Sequence, residues 1–245
     1  MINKKYNLVS IIQARISSNR LPGKVLFKLG DSNVLGQVIQ RAKEFSNEVI
    51  VCTSINSEDN EIANFCKSID IYCYRGSLDN VYSRYREILI QKRFDKYRWF
   101  SRITADNPLI SVLLAENLIT KISDNLDYIA YRNKEINIGT GIEIVNKKTF
   151  LNIDERKLDL AEKEHVTLNL YEKKGRYNCK FILSPFNNFD KRIRLTLDYQ
   201  DDYKLLKKLF KLDKNISSER AIEIIRKDAY LMKMNEKSLQ KKIRE

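Results

Sequence analysis

The regular change of hydrophobic period along the first half of the chain restricts its fold more than any other feature. Residues 7–12 read as an apolar strand, and residues 34–45 follow with Leu35, Val38, Ile39, Ala42 and Phe45 at helical spacing. A β-rich run at 48–53 precedes a helical pattern at 58–68, where Ile62, Phe65 and Cys66 share one face. The same alternation continues with a strand at 71–74, a helix at 80–92, a strand at 99–104 and a helix at 111–123. A βαβα order of this kind requires crossover connections, and therefore a mostly parallel sheet with helices on both faces. The second half is less regular, with strands expected at 127–131, 141–145, 179–183 and 193–197. Helices are expected there at 160–173, 201–210 and 218–227.

A length of 245 residues suits one large α/β domain. No domain boundary stands out, so residues 1–125 and 126–245 are read as two halves of that one domain. No apolar run is long enough to span a bilayer. The first residues enter a strand-like run without the long apolar stretch of a signal peptide, so a cytoplasmic location is the expectation. Cys52, Cys66, Cys73 and Cys179 form no CxxC pair and sit mostly in apolar runs, which reads as buried free thiols. His165 is the single histidine, so histidine-rich metal sites and catalytic triads built on any other histidine are excluded.

The formal net charge of +13 admits nucleic acid as a partner. The basic residues are scattered among acids, however, and form a stripe only in the tail, at Lys237, Lys241, Lys242 and Arg244. A small polyanion such as a nucleoside triphosphate accounts for local basic clusters equally well. The reading adopted is therefore an enzyme without a nucleic-acid or membrane partner, with a nucleic-acid-binding protein as the rival.

Ligands of open α/β sheets bind beyond the carboxyl ends of the strands, which directs attention to the loops after residues 12, 53, 74 and 104. The first, QARISSNRLPGK (13–24), carries Arg15, Arg20 and Lys24 with Ser17, Ser18, Asn19 and Gly23 between them. Guanidinium forks and a lysine point charge suit a triphosphate. GxxxxGK[ST] is absent, so this is not a Walker loop, and an ordinary basic surface loop is the plain alternative. In RITADNP (102–108), Asp106 stands at a strand end before Pro108 and is placed to hold Mg²⁺, or simply to cap a turn. RIRLTLD (192–198) ends in Asp198, a second candidate ligand. Asp201 and Asp202 read as helix N-terminal acids. His165 either meets the acceptor or is satisfied locally at a helix start. Tyr82, Tyr85, Phe94, Tyr97, Trp99 and Phe100 read as core rather than a base-stacking platform. Gly139 and Gly141 suggest a flexible acceptor loop.

QARISSNRLPGKVL resembles the opening signature of the cytidylyltransferases, and most closely the branch typified by spore coat polysaccharide biosynthesis protein F. CMP-sialic acid and CMP-KDO synthetases are more distant relatives. YRGSLDNVYSRY (74–85), RITADNPLI (102–110), GIEIVNKKTF (141–150), EHVTLNLY (164–171) and RLTLDYQDDYKLL (194–206) agree in order. The resemblance covers about residues 8–210. It implies a Rossmann-like (GT-A-like) nucleotidyltransferase fold with a mostly parallel mixed sheet flanked by helices. The implied reaction is Mg²⁺-dependent transfer of CMP from CTP to a small acidic sugar-like acceptor, with pyrophosphate released, in polysaccharide or glycoconjugate biosynthesis by a homodimer. Another nucleoside triphosphate, or a phosphorylated non-sugar acceptor, is the alternative within the class.

By position, the resemblance places Gln13, Ala14, Arg15, Arg20 and Lys24 around the triphosphate, with Arg15 and Lys24 stabilising the departing pyrophosphate. Asp106 becomes the principal Mg²⁺ ligand and Asp198 the second. Thr53 and Ser54 line the nucleotide pocket, and Arg75, Gly76, Ser77 and Asp79 hold base and ribose. Ser18-Asn19 departs from the family's Gly-Ser-Thr and narrows the backbone freedom of the loop.

Overall fold

A computed structural model of the chain describes residues 7–132, 134–173, 175–187 and 189–238. The tail cations Lys241, Lys242 and Arg244 lie outside the described residues, and of that stripe only Lys237 falls within them. In chain order the elements begin with β1 (Leu8–Gln13), a two-stranded ribbon of β2 (Lys28–Leu29) and β3 (Ser32–Asn33), α1 (Val34–Phe45), β4 (Glu48–Ser54), α2 (Asn60–Ser68), β5 (Cys73–Gly76), α3 (Val81–Leu89), β6 (Trp99–Thr104) and α4 (Val112–Thr120). Then come β7 (Tyr128–Tyr131), β8 (Glu143–Asn146), α5 (Lys147–Leu151), α6 (Leu160–Glu164), α7 (Leu168–Glu172), β9 (Cys179–Ile182), α8 (Gln200–Leu212), α9 (Ser218–Lys227) and α10 (Ala229–Lys233).

Among the described residues, seven strands form one sheet in the order β5-β4-β1-β6-β8-β7-β9. β8 runs against β6 and β7, while the β1, β4, β5 and β6 pairings and the β7–β9 pairing are parallel. The expected mixed, mostly parallel sheet is therefore present. Its two faces are covered separately. Leu35, Val38 and Ala42 of α1, Ile62 of α2 and Leu118 of α4 pack on one face. Tyr82 and Tyr85 of α3, Phe150 of α5 and Leu170 of α7 pack on the other. The six aromatics assigned to the core are all buried. Cys52 and Cys66 are buried and Cys73 and Cys179 half-buried, all as free thiols. Burial pushes the Cys52 thiol up to about 12, which makes it inert at neutral pH.

Three expectations need correction. Residues 193–197 are extended but join no sheet. Arg194 makes only an isolated bridge to Ile138, and the N–H groups of Leu195 and Leu197 donate to the carbonyls of Ile138 and Asp106. Ile193, Leu195 and Leu197 instead bury themselves against α8 and α9, in a third core with Leu205, Leu209 and Ile222. Apolar alternation identified an extended chain but not its partner. The helix expected at 160–173 is broken into α6 and α7, because Val166 takes a left-handed φ of 49°. The loop of Gly139 and Gly141, expected to be flexible, is held at Gly139 by a close backbone approach. Gly139 takes a φ of 91°, and a Cβ there would stand 2.6 Å from the carbonyl carbon of Leu195. Gly139→Ala is accordingly expected to lower stability by about 2–3 kcal/mol through left-handed strain plus a backbone clash, read by urea denaturation.

Candidate active site

The sheet order reverses at β1. The chain leaves β1 for β4 on one side, and the later crossover to β6 returns to its other side. This is the position at which an open α/β sheet presents a crevice. The loops after β1 and β6 line it.

The β1 loop is held from below. The carboxylate of Asp59, fully buried, accepts the Ile16 N–H at 2.7 Å, and the Ser54 N–H and hydroxyl at 3.0 and 2.5 Å. The Gly23 N–H returns to the Ile16 carbonyl, and Gly23 takes a φ of 71° at the start of a single 3-10 turn. That geometry turns the Lys24 side chain inward. Asp59→Ala would leave three buried donors without an acceptor, so it is expected to cost about 3 kcal/mol. Asp59→Asn, which keeps one acceptor oxygen, should recover part of that loss in thermal melts.

Lys24 lies at the centre of the site. Its Nζ donates to Asp106 Oδ2 at 2.8 Å, Asp198 Oδ1 at 2.9 Å and the Leu197 carbonyl at 2.6 Å. These three bonds use all three ammonium donors. Asp106 stands two residues beyond β6, in a turn where the Asn107 amide nitrogen donates to the Thr104 hydroxyl. Burial alone would raise the Asp106 pKa, but the Lys24 charge and hydrogen bonds from Lys24 and Thr104 outweigh it and hold the carboxyl below its usual range. Asp198 closes the unpaired extended segment rather than a strand. Its two oxygens meet Arg20 at 2.5 Å and Arg194 at 2.9 Å, besides Lys24. Arg194 in turn bonds Asp202, whose Oδ2 accepts the N–H groups of Asp198 and Tyr199. Asp202 therefore does more than favour the α8 dipole: it fixes the backbone that presents Asp198. Asp201 behaves as expected of an exposed first-turn acid and pairs with Lys204.

Two lobes of the cleft share the wall formed by Gln13, Arg15, Ser18, Arg20, Thr104, Asp106 and Glu164. The smaller, about 160 Å³, adds Ala14, Lys24, Val81 and Arg84. The larger, about 510 Å³, adds Arg102, Gly139, His165, Thr196 and Asp198. Arg15 reaches Glu164 across the opening at 3.5 Å, with both side chains about half exposed. Arg102 is aimed by Gln13 and Glu143, and Glu143 also accepts the hydroxyls of Tyr128 and Thr167. Burial would lower the Arg102 pKa, but the Glu143 charge prevails and raises it. His165 caps α6 at the edge of the larger lobe, next to the left-handed Val166.

Asp106 and Asp198 converge on one point from positions far apart in sequence. Among the described residues, no cluster of three or more His, Cys, Asp or Glu side chains could hold a metal by itself. Two carboxylates fit a hard divalent cation that keeps waters and takes its remaining ligands from phosphate. The Lys24 ammonium lies at the point of convergence.

The structure thus brings together Gln13, Ala14, Arg15, Arg20, Lys24, Asp106 and Asp198. It does not bring Thr53, Ser54, Arg75, Ser77 or Asp79 into either lobe. Thr53 and Ser54 are fully buried. The Arg75 guanidinium is occupied by the Ser54 and Asn56 carbonyls and by Asn60. Ser77 receives the Asn80 N–H, and Asp79 is exposed. Asp59, Arg84, Arg102, Glu143 and Arg194 received no role from the sequence, although the last four lie inside the quoted stretches 74–85, 102–110, 141–150 and 194–206.

Residues 9–236 match the family model for cytidylyltransferases. The chain belongs to the cytidylyltransferase family. It is 32% identical to an uncharacterized protein of Methanocaldococcus jannaschii, over 97% of this chain and 98% of that one. It is 28% identical to the spore coat polysaccharide biosynthesis protein SpsF of Bacillus subtilis, over 83% of this chain and 86% of the relative. A cytidylyltransferase structure from Leptospira borgpetersenii shares the fold with a TM-score of 0.84 at 23% identity, covering 97% of this chain and 99% of that chain. No helix among the described residues is long and apolar enough to cross a membrane.

Proposed function

We propose that this cytidylyltransferase transfers CMP from CTP to a hydroxyl of a small acidic, sugar-like acceptor, with Mg²⁺ as its metal. The observation that carries this reading is the position of Asp106, in the wall shared by both lobes at the reversal point of the sheet. Donor and acceptor placed in separate lobes would meet beside it. The smaller lobe, walled by the β1 loop, takes the nucleotide. Arg15, Arg20 and Lys24 bind its phosphates. The larger lobe takes the acceptor; Arg15, Arg20 and Arg102 along its wall are each paired with a carboxylate, and an anionic acceptor would share those guanidinium groups.

The acceptor oxygen attacks the α-phosphorus as the bond to the β-phosphate breaks, pyrophosphate leaves with that bonding pair, and the hydroxyl proton is lost to solvent. Positioning and charge neutralisation suffice for such a step. Mg²⁺ held by Asp106 and Asp198 would supply neutralisation of phosphate charge and a template for orientation. Lys24 lines the smaller lobe, where with Arg15 it would stabilise the departing pyrophosphate. Ser54, through Asp59, and Arg75, through the Ser54 and Asn56 carbonyls, support the loops on the nucleotide side. The same proposal includes a homodimer, which the exposed Phe181 and Leu183 at the sheet's β9 edge favour, and a place in surface polysaccharide or glycoconjugate synthesis. Pyrophosphate release from CTP, screened against sugar acids and neutral sugars, tests the acceptor class. Release with neutral sugars alone would remove the acidic acceptor from the proposal.

A further inference from the structure

Arg84 stands in the wall of the smaller lobe and is only 1% exposed. Its Nε–H has no acceptor, and its Nη2 reaches only the Leu78 carbonyl, at 3.4 Å. It forms no ion pair with a carboxylate among the described residues. A buried guanidinium left in this condition is costly, since both its charge and its donor have lost water without replacement. The fold nevertheless makes room for it. A Cβ at Gly76 would lie 2.9 Å from the Arg84 Cγ, so the glycine at the end of β5 lets the arginine stem lie flat against that strand. Val81 and Ala14 flank it in the same lobe, while Arg15, Arg20 and Lys24 belong to the β1 loop.

We propose that Arg84 is the residue that reads the nucleobase of the donor, its guanidinium turning from the Leu78 carbonyl so that the Nε–Nη2 edge donates to two adjacent acceptors on a pyrimidine ring. Cytosine presents O2 and N3 side by side as acceptors. Uracil presents O2 beside an N3–H donor, which opposes the fork. Arg84 therefore selects cytosine over uracil, and the apolar neighbours Val81 and Ala14 receive the ring. The phosphates remain with the β1 loop. This assignment rests on the reading of CTP as donor, and it gives Arg84 the role that Arg75, already occupied, does not fill.

Titration calorimetry of the full chain with Mg²⁺ and CTP, UTP or inorganic pyrophosphate tests it, on the wild type, Arg84→Met and Arg84→Lys. The wild type is expected to prefer CTP over UTP by about 10- to 100-fold, the usual worth of a bidentate base contact. In Arg84→Met, CTP binding should fall to the UTP level with pyrophosphate binding unchanged. The melting point should hold or rise, because an unpaired buried charge has been removed. Arg84→Lys keeps the charge but loses the fork, so it should lose the same selectivity, and it decides the matter if the methionine variant does not fold. Retention of the CTP preference in either folded variant overturns the assignment, as does an equal loss of pyrophosphate binding, which would place Arg84 on phosphate. A wild type without CTP preference overturns the donor reading itself, and is distinguishable because it needs no variant.

Discussion

Lys24→Met is expected to be the most damaging single change in the site, lowering kcat/KM by at least about 10³-fold and stability by about 3 kcal/mol. The ammonium sits between two carboxylates, and it is itself almost fully buried. Its removal leaves Asp106 without a cation among the described residues, while Asp198 retains Arg20 and Arg194. That retention keeps the loss near the lower end of the range for a broken buried pair. For a chain of this size it corresponds to a fall of about 6–12 °C in Tm. A divalent cation can replace the missing charge. Millimolar Mg²⁺ should therefore raise the Tm of Lys24→Met more than that of the wild type, by mass action on the folded state. Equal shifts in the two proteins would mean that Asp106 and Asp198 do not form the metal site.

Asp106→Asn is expected to reduce turnover by about 10²–10³-fold while changing CTP affinity only a few-fold. The shape of the side chain is kept and Lys24 retains an acceptor, so folding should be little affected. The substitution removes a charge at the wall shared by the two lobes, where the scissile α-phosphate would lie. An interaction needed chiefly in the transition state shows itself in kcat rather than in binding. Steady-state kinetics beside a direct CTP titration separates the two. A variant with wild-type turnover removes Asp106 from catalysis, and one that loses CTP binding and turnover equally makes it a ground-state contact only.

Much of this arrangement was legible in the sequence where one physical rule acts locally. The helix read at 34–45 and the strand read at 99–104 have the bounds of α1 and β6, with Leu35, Val38, Ile39, Ala42 and Phe45 buried on the helix and β6 buried almost throughout as an interior strand. The β1 loop was legible because three cations and a glycine sit within twelve positions of a strand end. Residues 193–197 show where such rules stop. Their alternation dictates an extended chain, but their hydrogen bonds go to Ile138 and Asp106 instead of a sheet neighbour. The break between α6 and α7 had no glycine or proline to announce it, since Val166 bears the left-handed turn. Arg84 reads in sequence as one more basic residue on an amphipathic helix. Its meaning arises only from burial beside Gly76 and the absence of a carboxylate partner among the described residues. The Arg194–Asp202 support beneath Asp198 is likewise tertiary, and Asn235 joins it from residues beyond the reach of any motif.

Asp106 and Asp198 are proposed to bind a cytidine nucleotide and a divalent cation together. A thermal-shift series of the purified protein with ATP, CTP, GTP and UTP, each with and without Mg²⁺, tests it most directly. The expected result is a clear rise in Tm with CTP, larger with Mg²⁺ than without, and little or none with the other three. A rise with another nucleotide in place of CTP, or no rise with any of them, would contradict it.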